Sequence, residues 1–212
     1  MLESAVVKTC FGYVGLVLSS SYLVRNTPPV PSYDLAEALL TKKLCKDSAV
    51  IKTSAEDPRV AMFVEAILKA AQGERVLEEP LLLKLRRLCS FSKITRLVYL
   101  TLATIPRGKA TTYRALASVF GLSPRIVGFL MSRNPYPVLI PCHKVVKSDR
   151  SVGGYMGSLE FSSIKIELLR LEGVRVIGQK VDSRDLLNTR DLMQFIERGL
   201  ELARILETKL TF

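Results

Sequence analysis

Cys142 and His143 are the residues of this chain that most directly suggest chemistry. They stand side by side in PVLIPCHKVV, residues 137–146, and His143 is the one histidine in the 212-residue sequence. A thiol is a good nucleophile only as the thiolate, and a histidine can accept its proton. The histidine would need an acid to orient its other nitrogen, and Glu172, near the end of a predicted helix, is a candidate.

The adjacency of these two residues also allows a purely structural interpretation. On a strand, neighbouring side chains point to opposite faces, so direct contact is awkward and a bridging water would have to carry the proton. Cysteine is among the most buried residue types, and His143 could lie on the surface. The residues alone leave both interpretations open, a reactive thiol and a buried cysteine beside an incidental histidine.

A predicted pair of short helices precedes the cysteine. Thr111 or Thr112 can cap the first helix, TTYRALASVFG, which Gly121 ends. Ser123 can cap the second helix, LSPRIVGFLMSRN, with Pro124 at its first position. Two helices joined by a short turn that contains glycine are typical of a helix-turn-helix, although many such pairs only pack in a core.

Other helices are predicted around this pair. SKITRLVYLTLATIP predicts an amphipathic helix with Ile94, Leu97, Val98, and Thr101 or Leu102 on one face. The prolines of NPYPVLIPC forbid a regular helix and stiffen the path to the cysteine. SSIKIELLRLEG, residues 162–173, predicts a capped helix that ends at Gly173.

The first third of the chain predicts a small α/β domain. Residues 4–25 predict two short strands around a turn at 11–13, and 27–32 a loop. Ser32 can cap a helix through YDLAEALLTKKL, residues 48–53 predict a strand, and Asp57 can start a helix that Gly73 ends.

The predicted organisation has four parts. They are an α/β domain over residues 1–75, a connecting segment over 76–92 with its linker near 72–80, a domain over 93–174 that holds the helix pair and Cys142, and a helical extension over 175–212. In the extension, a helix over 183–208 places an apolar stripe at Met193, Ile196, Leu200, Ala203 and Leu206. This stripe favours packing on the protein's own core over a partner contact.

Composition narrows the function classes. Apolar residues make up 48% and charged residues 24% of the chain, as in ordinary folded proteins, and the net charge of +11 favours a polyanionic partner such as nucleic acid. The four cysteines, at 10, 45, 89 and 142, form no CxxC pair, which argues against zinc and for free thiols. The N-terminal apolar stretch predicts a strand, neither a signal peptide nor a membrane span, so we expect an intracellular protein.

The motifs around the cysteine carry a resemblance to a known family. TTYRALA, SPRIVG, NPYPVLIPCHKVV, VGGY and ELLRLEG together resemble the O6-alkylguanine-DNA alkyltransferases, the methylated-DNA–protein-cysteine methyltransferases, from Leu97 to Val174. The resemblance implies an α/β N-terminal domain and a mainly helical C-terminal domain whose winged-helix-like helix-turn-helix carries the active-site cysteine. Residues 93–174 would then be the DNA-binding and alkyl-transfer domain. The N-terminal part is similar to the family's more variable first domain.

The resemblance also implies an activity. The protein would repair DNA by irreversible, stoichiometric transfer of the alkyl group of O6-alkylguanine to Cys142, with O4-alkylthymine as a further candidate substrate. No cofactor or metal would be needed. The partner would be double-stranded DNA, bound through the minor groove with the lesion flipped out, and the protein would be a monomer. It would be cytoplasmic, or nuclear in a eukaryote.

Site residues follow from the same motifs. The implied catalytic residues are the alkyl acceptor Cys142, its water-linked base His143, the orienting Glu172, and Asn134, which holds the turn. Substrate binding would fall to Tyr113, which could also donate a proton to the leaving guanine, and to Val145, Tyr155 and Met156. DNA binding would fall to Arg125, which enters the base stack, and to Gly128, Thr112 and Ser123.

Four positions depart from the family pattern. Lys144 replaces a usual arginine, Ile126 and Leu130 stand where small alanines are common, and Met156 replaces a small polar residue. Three rival functions are a non-catalytic DNA-lesion binder on the same domain, a cysteine hydrolase, and an interaction module without chemistry. Against the hydrolase, Pro141 supplies no backbone N–H for an oxyanion hole.

Overall fold

The N-terminal part of the protein is built on a four-stranded sheet. The structure, a computed structural model, describes residues 1–42, 44 and 49–209. The strands are β1 (Leu2–Thr9), β2 (Gly12–Ser19), β3 (Tyr22–Asn26) and β4 (Val50–Lys52), in the order β3-β2-β1-β4. Neighbours in the chain pair antiparallel, and β4 joins β1 in parallel.

The prediction of two strands in residues 4–25 is wrong, because the segment forms three. A second turn divides it at Ser20, whose backbone is left-handed with φ 53°. The strand predicted over 48–53 is shorter, Val50–Lys52, and its predicted first residue lies outside the described part of the chain. Cys45 also lies outside it.

Two helices belong to this part of the chain, and their starts agree with the sequence; the first packs against β1 and β2. The helices are α1 (Tyr33–Thr41) and α2 (Pro58–Ala71). The Ser32 hydroxyl caps α1 by accepting from the Leu35 N–H at 3.2 Å, and the Asp57 carboxylate caps α2 by accepting from the Arg59 N–H at 2.8 Å. α1 ends at Thr41, three residues before its predicted end.

The connecting segment is ordered and packed. It contains α3 (Glu79–Leu83) and a 3₁₀ turn at Arg86–Ser90, and Leu82, Leu85 and Leu88 are all buried in the main core. That core also takes in residues from both the N-terminal sheet and the following helices. The division of the chain at residues 75, 92 and 174 stays a prediction.

The second half is mainly helical. Its helices are α4 (Lys93–Ala103), α5 (Tyr113–Val119), α6 (Pro124–Arg133), α7 (Ser162–Leu171) and α8 (Thr189–Lys209). A parallel sheet in the order β6-β5-β9 joins β5 (Ala110–Thr112), β6 (Val145–Val146) and β9 (Leu186–Leu187), and β7 (Val176–Ile177) forms a hairpin with β8 (Lys180–Val181).

The predicted helix pair is present as α5 and α6. Thr112 caps α5 by accepting from the Ala115 N–H at 3.1 Å, and Ser123 caps α6 by accepting from the Ile126 N–H at 3.2 Å. The two helices meet at an angle of 103°. Within the described residues, no one helix has the length and apolar character of a membrane span, although this bent pair taken together meets those two criteria.

Three details of the helical predictions are wrong. On α4, Ile94 is exposed, and the buried face is formed by Thr95, Val98, Tyr99 and Leu102. The helix α7 has no side-chain cap, because Phe161 occupies its N-cap position. It ends at Leu171, which makes Glu172 its C-cap residue.

The apolar stripe predicted on α8 is partly wrong. Met193 and Leu200 are exposed, whereas Leu192, Gly199, Leu202 and Leu206 are buried. The helix also begins at Thr189, because residues 183–185 form a 3₁₀ turn and 186–187 a strand. α8 packs on α4 and α5, so its buried face belongs to the protein's own core.

Candidate active site

The path from α6 to Cys142 is held by one amide. Asn134 caps the C-terminus of α6, and its Oδ1 accepts from the Tyr136 N–H at 3.0 Å. Its Nδ2 donates to the Ile140 carbonyl at 2.8 Å and to Cys142 Sγ at 3.1 Å. The side chain therefore fixes both ends of the proline-rich loop and contacts the sulfur directly.

The cysteine lies in a 3₁₀ turn. Residues Cys142–Lys144 form this turn, so the argument from strand neighbours on opposite faces does not apply to Cys142 and His143. The turn is closed by the Pro141 carbonyl, which accepts from the Lys144 N–H at 2.9 Å. The Cys142 side chain is 4% exposed, and His143 is fully buried.

A buried chain of charges lies behind the cysteine. His143 Nε2 contacts Glu172 Oε1, and Lys144 Nζ contacts Glu172 Oε2, both at short range. Lys144 Nζ also donates to the carbonyls of Ile105, at 2.9 Å, and Pro106, at 3.3 Å. His143 Nδ1 is buried with no hydrogen-bond partner among the described residues, so it is available to accept a proton.

Burial and the charged neighbours together set the resting protonation states. Burial raises the pKa of the Cys142 thiol, although the Asn134 hydrogen bond and the charge of Lys165 act in the opposite direction. Burial lowers the pKa of His143, so the imidazole is neutral at pH 7. Burial alone would raise the pKa of Glu172, but the His143 and Lys144 contacts outweigh it, and this pKa lies below its usual value.

A cavity of about 250 Å³ opens onto the cysteine. Among its lining residues are Tyr113, Gly128, Cys142, Tyr155, Met156 and Lys165. Burial raises the pKa of Tyr113 to about 12, so its hydroxyl keeps its proton at neutral pH. Burial, and then the charge of a Cys142 thiolate, raise the pKa of Tyr155 well above its ordinary value.

Lys165 is the site residue that the sequence reasoning missed. Its Nζ donates to the carbonyls of Val145 at 2.7 Å, Val152 at 2.8 Å and Gly154 at 3.3 Å, and lies 5.6 Å from the centroid of the Tyr113 ring. Burial lowers the pKa of Lys165 to about 8. The sequence did contain one signal of its burial, because this lysine lies three residues before Leu168 on the apolar face of α7.

The loop after the cysteine closes one wall of the cavity. The Tyr155 and Ser158 backbones exchange hydrogen bonds of 2.8 and 2.9 Å, which forces left-handed conformations on Met156 and Gly157. A Cβ on Gly154 would lie 2.7 Å from the Ser158 carbonyl oxygen, so only glycine fits there. The departure at Met156 thus lies in the cavity wall itself.

The remaining predicted residues lie around the cavity. Arg125 is exposed in the first turn of α6 and is not among the residues that line the cavity. The hydroxyls of Thr112 and Ser123 serve as helix caps. Val145 is fully buried, and its carbonyl already accepts from Lys165.

The two unusual apolar residues of α6 have different environments. Ile126 is exposed, as is Phe129, whereas Leu130 is buried in the core. Of the two, only Ile126 can therefore touch a molecule that lies on α6.

Metal binding has no support from the described residues. In residues 1–42, 44 and 49–209, no three side chains of His, Cys, Asp or Glu cluster in a way that could hold a metal ion. Within the same ranges, the thiols of Cys10, Cys89 and Cys142 are free.

This geometry defines a class of site, in which a buried cysteine contacts an amide, is backed by a histidine and a carboxylate, and opens into a small cavity next to a bent helix pair. Residues 93–174 match a family model described as "6-O-methylguanine DNA methyltransferase, DNA binding domain". A Methanocaldococcus jannaschii protein named "Methylated-DNA--protein-cysteine methyltransferase" is 31% identical over 173 residues, which are 80% of this chain and 95% of that protein. The chain belongs to the methylated-DNA–protein-cysteine methyltransferase family.

Other relatives match a shorter segment. A Pyrobaculum aerophilum protein of the same name is 58% identical over 78 residues, 37% of this chain and 49% of that protein. One from Methanothermobacter thermautotrophicus is 46% identical over 77 residues, 36% of this chain and 42% of that protein. The chain thus spans about half the length of these relatives.

Solved structures share the mixed α/β fold. The crystal structure of O6-methylguanine-DNA methyltransferase from Pyrococcus kodakaraensis has a TM-score of 0.58 and 28% identity, and covers 82% of this chain and 100% of that one. The structure of Mycobacterium tuberculosis OGT in complex with DNA has a TM-score of 0.57, covers 90% of this chain and 99% of that one, and at 19% identity shows the fold alone.

Proposed function

We propose that this protein repairs O6-alkylguanine in DNA by moving the alkyl group onto Cys142, irreversibly and once per molecule. The observation that carries the proposal is the surroundings of Cys142, which lines the cavity. Its sulfur accepts a hydrogen bond from Asn134, and the next residue, His143, contacts the carboxylate of Glu172. A buried thiol without such partners would be inert. O4-alkylthymine is a second candidate substrate.

The reaction is a single displacement at the alkyl carbon. The Cys142 proton passes through a water to His143 Nδ1, while the Glu172 carboxylate holds the other ring nitrogen and stabilises the imidazolium. The sulfur forms its bond to carbon as the carbon–O6 bond breaks, and the electron pair of that bond stays on the guanine. Tyr113 donates a proton to this leaving base and later recovers one from solvent or His143.

Lys165 and Asn134 stabilise the thiolate during this step. The positive charge of Lys165 and the Nδ2 donor of Asn134 both lower the pKa of Cys142 against the effect of burial. Because the sulfur carries negative charge until it bonds to carbon, these two groups favour the approach to the transition state.

DNA would be bound by the helix pair. With a 103° angle and a four-residue turn, α5 and α6 have the dimensions of a helix-turn-helix, which we place on the minor groove with α6 innermost. The lesion lies inside the duplex and must be flipped into the cavity, at a cost of a few kcal/mol. Arg125, exposed at the start of α6, would enter the base stack and offset part of this cost.

Further support comes from charge and from the close contact that α6 allows. The net charge of +11 suits a phosphate backbone. A Cβ on Gly128 would meet no atom within 4 Å, so the helix surface there is open for close approach. In this proposal the protein acts as a monomer, in the cytoplasm or, in a eukaryote, in the nucleus.

Mass spectrometry tests the proposal. After incubation with a duplex that contains O6-methylguanine, the peptide carrying Cys142 should gain one methyl group, and Cys142→Ala should lose transfer while it still binds the duplex. Bound lesion with an unmodified Cys142 would instead identify a non-catalytic lesion binder. Repeated turnover of an ester or peptide would identify a cysteine hydrolase.

A further inference from the structure

A second cavity, lined by arginines, lies at the other end of the active-site loop. It has a volume of about 260 Å³ and is lined by Arg25, Arg87, Arg133, Asn134 and Pro135. It shares no lining residue with the cavity at the cysteine, and no carboxylate is among its lining residues. Three guanidinium groups thus converge on one space, and the described residues of its wall include no carboxylate.

Arg25 is the unusual member of this cluster. It is 2% exposed, and its Nε and Nη1 are buried with no hydrogen-bond partner among the described residues. Burial, and then the charge of Arg87, lower the pKa of Arg25 to about 10, so it is still charged at pH 7. A buried charge with neither an ion pair nor hydrogen bonds is costly, and natural proteins rarely keep one.

The end of α6 cannot supply the missing negative charge. A helix C-terminus carries a partial charge of about −0.5, which favours one cation such as Arg133 in the last turn. The combined positive charge of three guanidinium groups is much larger than this partial negative charge. An anion in the cavity would complete the site.

Arginine geometry indicates which anion. The planar guanidinium fork matches the oxygens of a phosphate, and several arginines around one space are typical of phosphate recognition. Arg133 lies 4.8 Å above the ring of Phe129, which is exposed on the same helix as Ile126. This arginine therefore connects the exposed face of α6 with the cavity, so a phosphate of a strand bound on α6 could reach it.

We propose that Arg25, Arg87 and Arg133 form a binding site for a phosphate group, separate from the alkyl-transfer cavity. The phosphate can belong to the backbone of bound DNA, in which case the inference rests on the proposed function, or to free inorganic phosphate. A bound phosphate would also stabilise the active-site loop. Asn26, which follows Arg25 in the chain, donates from its Nδ2 to the Pro137 carbonyl of this loop at 2.8 Å.

Two measurements on the full chain test this site. Arg25→Met removes the charge at similar length, and Arg86→Met is the matched control, since Arg86 stacks on Tyr22 and does not line the cavity. In the first measurement, inorganic phosphate should raise the melting temperature of the wild type and of Arg86→Met above that in chloride of equal ionic strength. Arg25→Met should show no phosphate-specific shift, and without phosphate it should melt at or above the wild-type temperature.

The second measurement distinguishes the two sources of phosphate. If DNA fills the site, the slope of log K for duplex binding against log salt should fall by about one in Arg25→Met and stay unchanged in Arg86→Met. A melting shift without a slope change supports the site and assigns it to free phosphate. If Arg25→Met behaves like Arg86→Met in both measurements, the site is refuted.

Arg87→Met is the second variant, in case Arg25→Met does not fold, and it should show the same losses. Methyl transfer to Cys142 is measured in parallel on the wild type. Its absence alongside a phosphate-specific melting shift would overturn the proposed function and leave the phosphate site standing.

Discussion

Three buried cations, Lys144, Lys165 and Arg25, differ in the partners that surround them. Lys144 pairs with Glu172, and Lys165 donates to three backbone carbonyls, whereas Nε and Nη1 of Arg25 have no hydrogen-bond partner among the described residues. Lys165 differs from Lys144 because the negative charge that acts on it is the Cys142 thiolate, which exists only when Cys142 ionises. Its charge is therefore of most use during the reaction.

The protonation of Lys165 should limit transfer at high pH. Its pKa of about 8 means that the charge is present below pH 8 and is lost as the pH rises through that value. The lowered pKa of His143 keeps this base neutral at pH 7, and transfer should fall only as the pH drops through that pKa. Single-turnover rates with free O6-benzylguanine should thus fall on both sides of a maximum near neutral pH.

Lys165→Met should slow the reaction and remove the fall above pH 8. An opposite charge near a titratable group shifts its pKa by about 1–3 units, which corresponds to a rate loss of about 10- to 1,000-fold. The exposed Lys147→Met, beside Gly153, is the comparison: it should keep the basic limb and move it to higher pH, because the charge of Lys147 lowers the pKa of Lys165. A basic limb that persists in Lys165→Met would assign it to another group, and melting curves show whether each variant is folded.

At the scale of elements, two helix glycines have opposite roles. A Cβ on Gly199 of α8 would lie 2.5 Å from Thr101 Oγ1 and 3.1 Å from the Thr101 nitrogen on α4. The position of a Cβ on Gly128 of α6 is open, with no atom within 4 Å. Gly199 therefore permits two helices of the protein to pack closely, whereas the space beside Gly128 is free for a molecule outside the protein.

Alanine at these two positions should change stability with opposite sign. Gly128→Ala should raise the free energy of unfolding by about 0.5–1 kcal/mol, because alanine restricts the unfolded chain and favours helix. Gly199→Ala should lower it by about 1–3 kcal/mol, since the methyl group forces α8 away from α4. Urea denaturation measures both, and equal signs would contradict this account.

How much the sequence predicts depends on how far apart the interacting residues lie in the chain. The caps at Asp57, Thr112 and Ser123 were predicted because each involves residues two or three positions away. The burial of Lys165 was missed, since its three carbonyl partners lie 11 to 20 residues earlier. The buried face of α8 was predicted at the wrong residues for a similar reason, since this face is determined by packing on α4, which lies far away in the sequence.

The active-site loop shows both outcomes. Its prolines and the amide of Asn134 were recognised from the sequence, and in the structure this amide contacts the Cys142 sulfur. The 3₁₀ turn at the cysteine and the left-handed backbone of Val138, with φ 77°, were not. A β-branched residue in that region is strained, and only surrounding tertiary contacts maintain it.

At the scale of the whole molecule, the first third of the chain contacts the active-site loop directly. The Tyr136 hydroxyl donates to the Leu23 carbonyl in β3 at 2.9 Å and accepts from the Arg87 N–H at 3.1 Å. Asn26 adds a bond from its N–H to the Pro135 carbonyl at 3.1 Å. These buried contacts tie β3 and the connecting segment to the loop that positions Cys142.

If these contacts join the N-terminal sheet and the helical half into one cooperative unit, Tyr136→Phe should lower the free energy of unfolding of both parts equally. The ring stays in place, but a buried carbonyl and a buried N–H lose their partner, which costs about 1–3 kcal/mol. Hydrogen exchange of amides in β2 and in α4 should show the same loss of protection free energy. Tyr99→Phe is the comparison variant, because it removes a buried 2.6 Å hydrogen bond from the Tyr99 hydroxyl to the Leu130 carbonyl, and both of these residues lie within the helical half. Loss of protection in β2 alone after Tyr136→Phe would show that the N-terminal sheet unfolds independently.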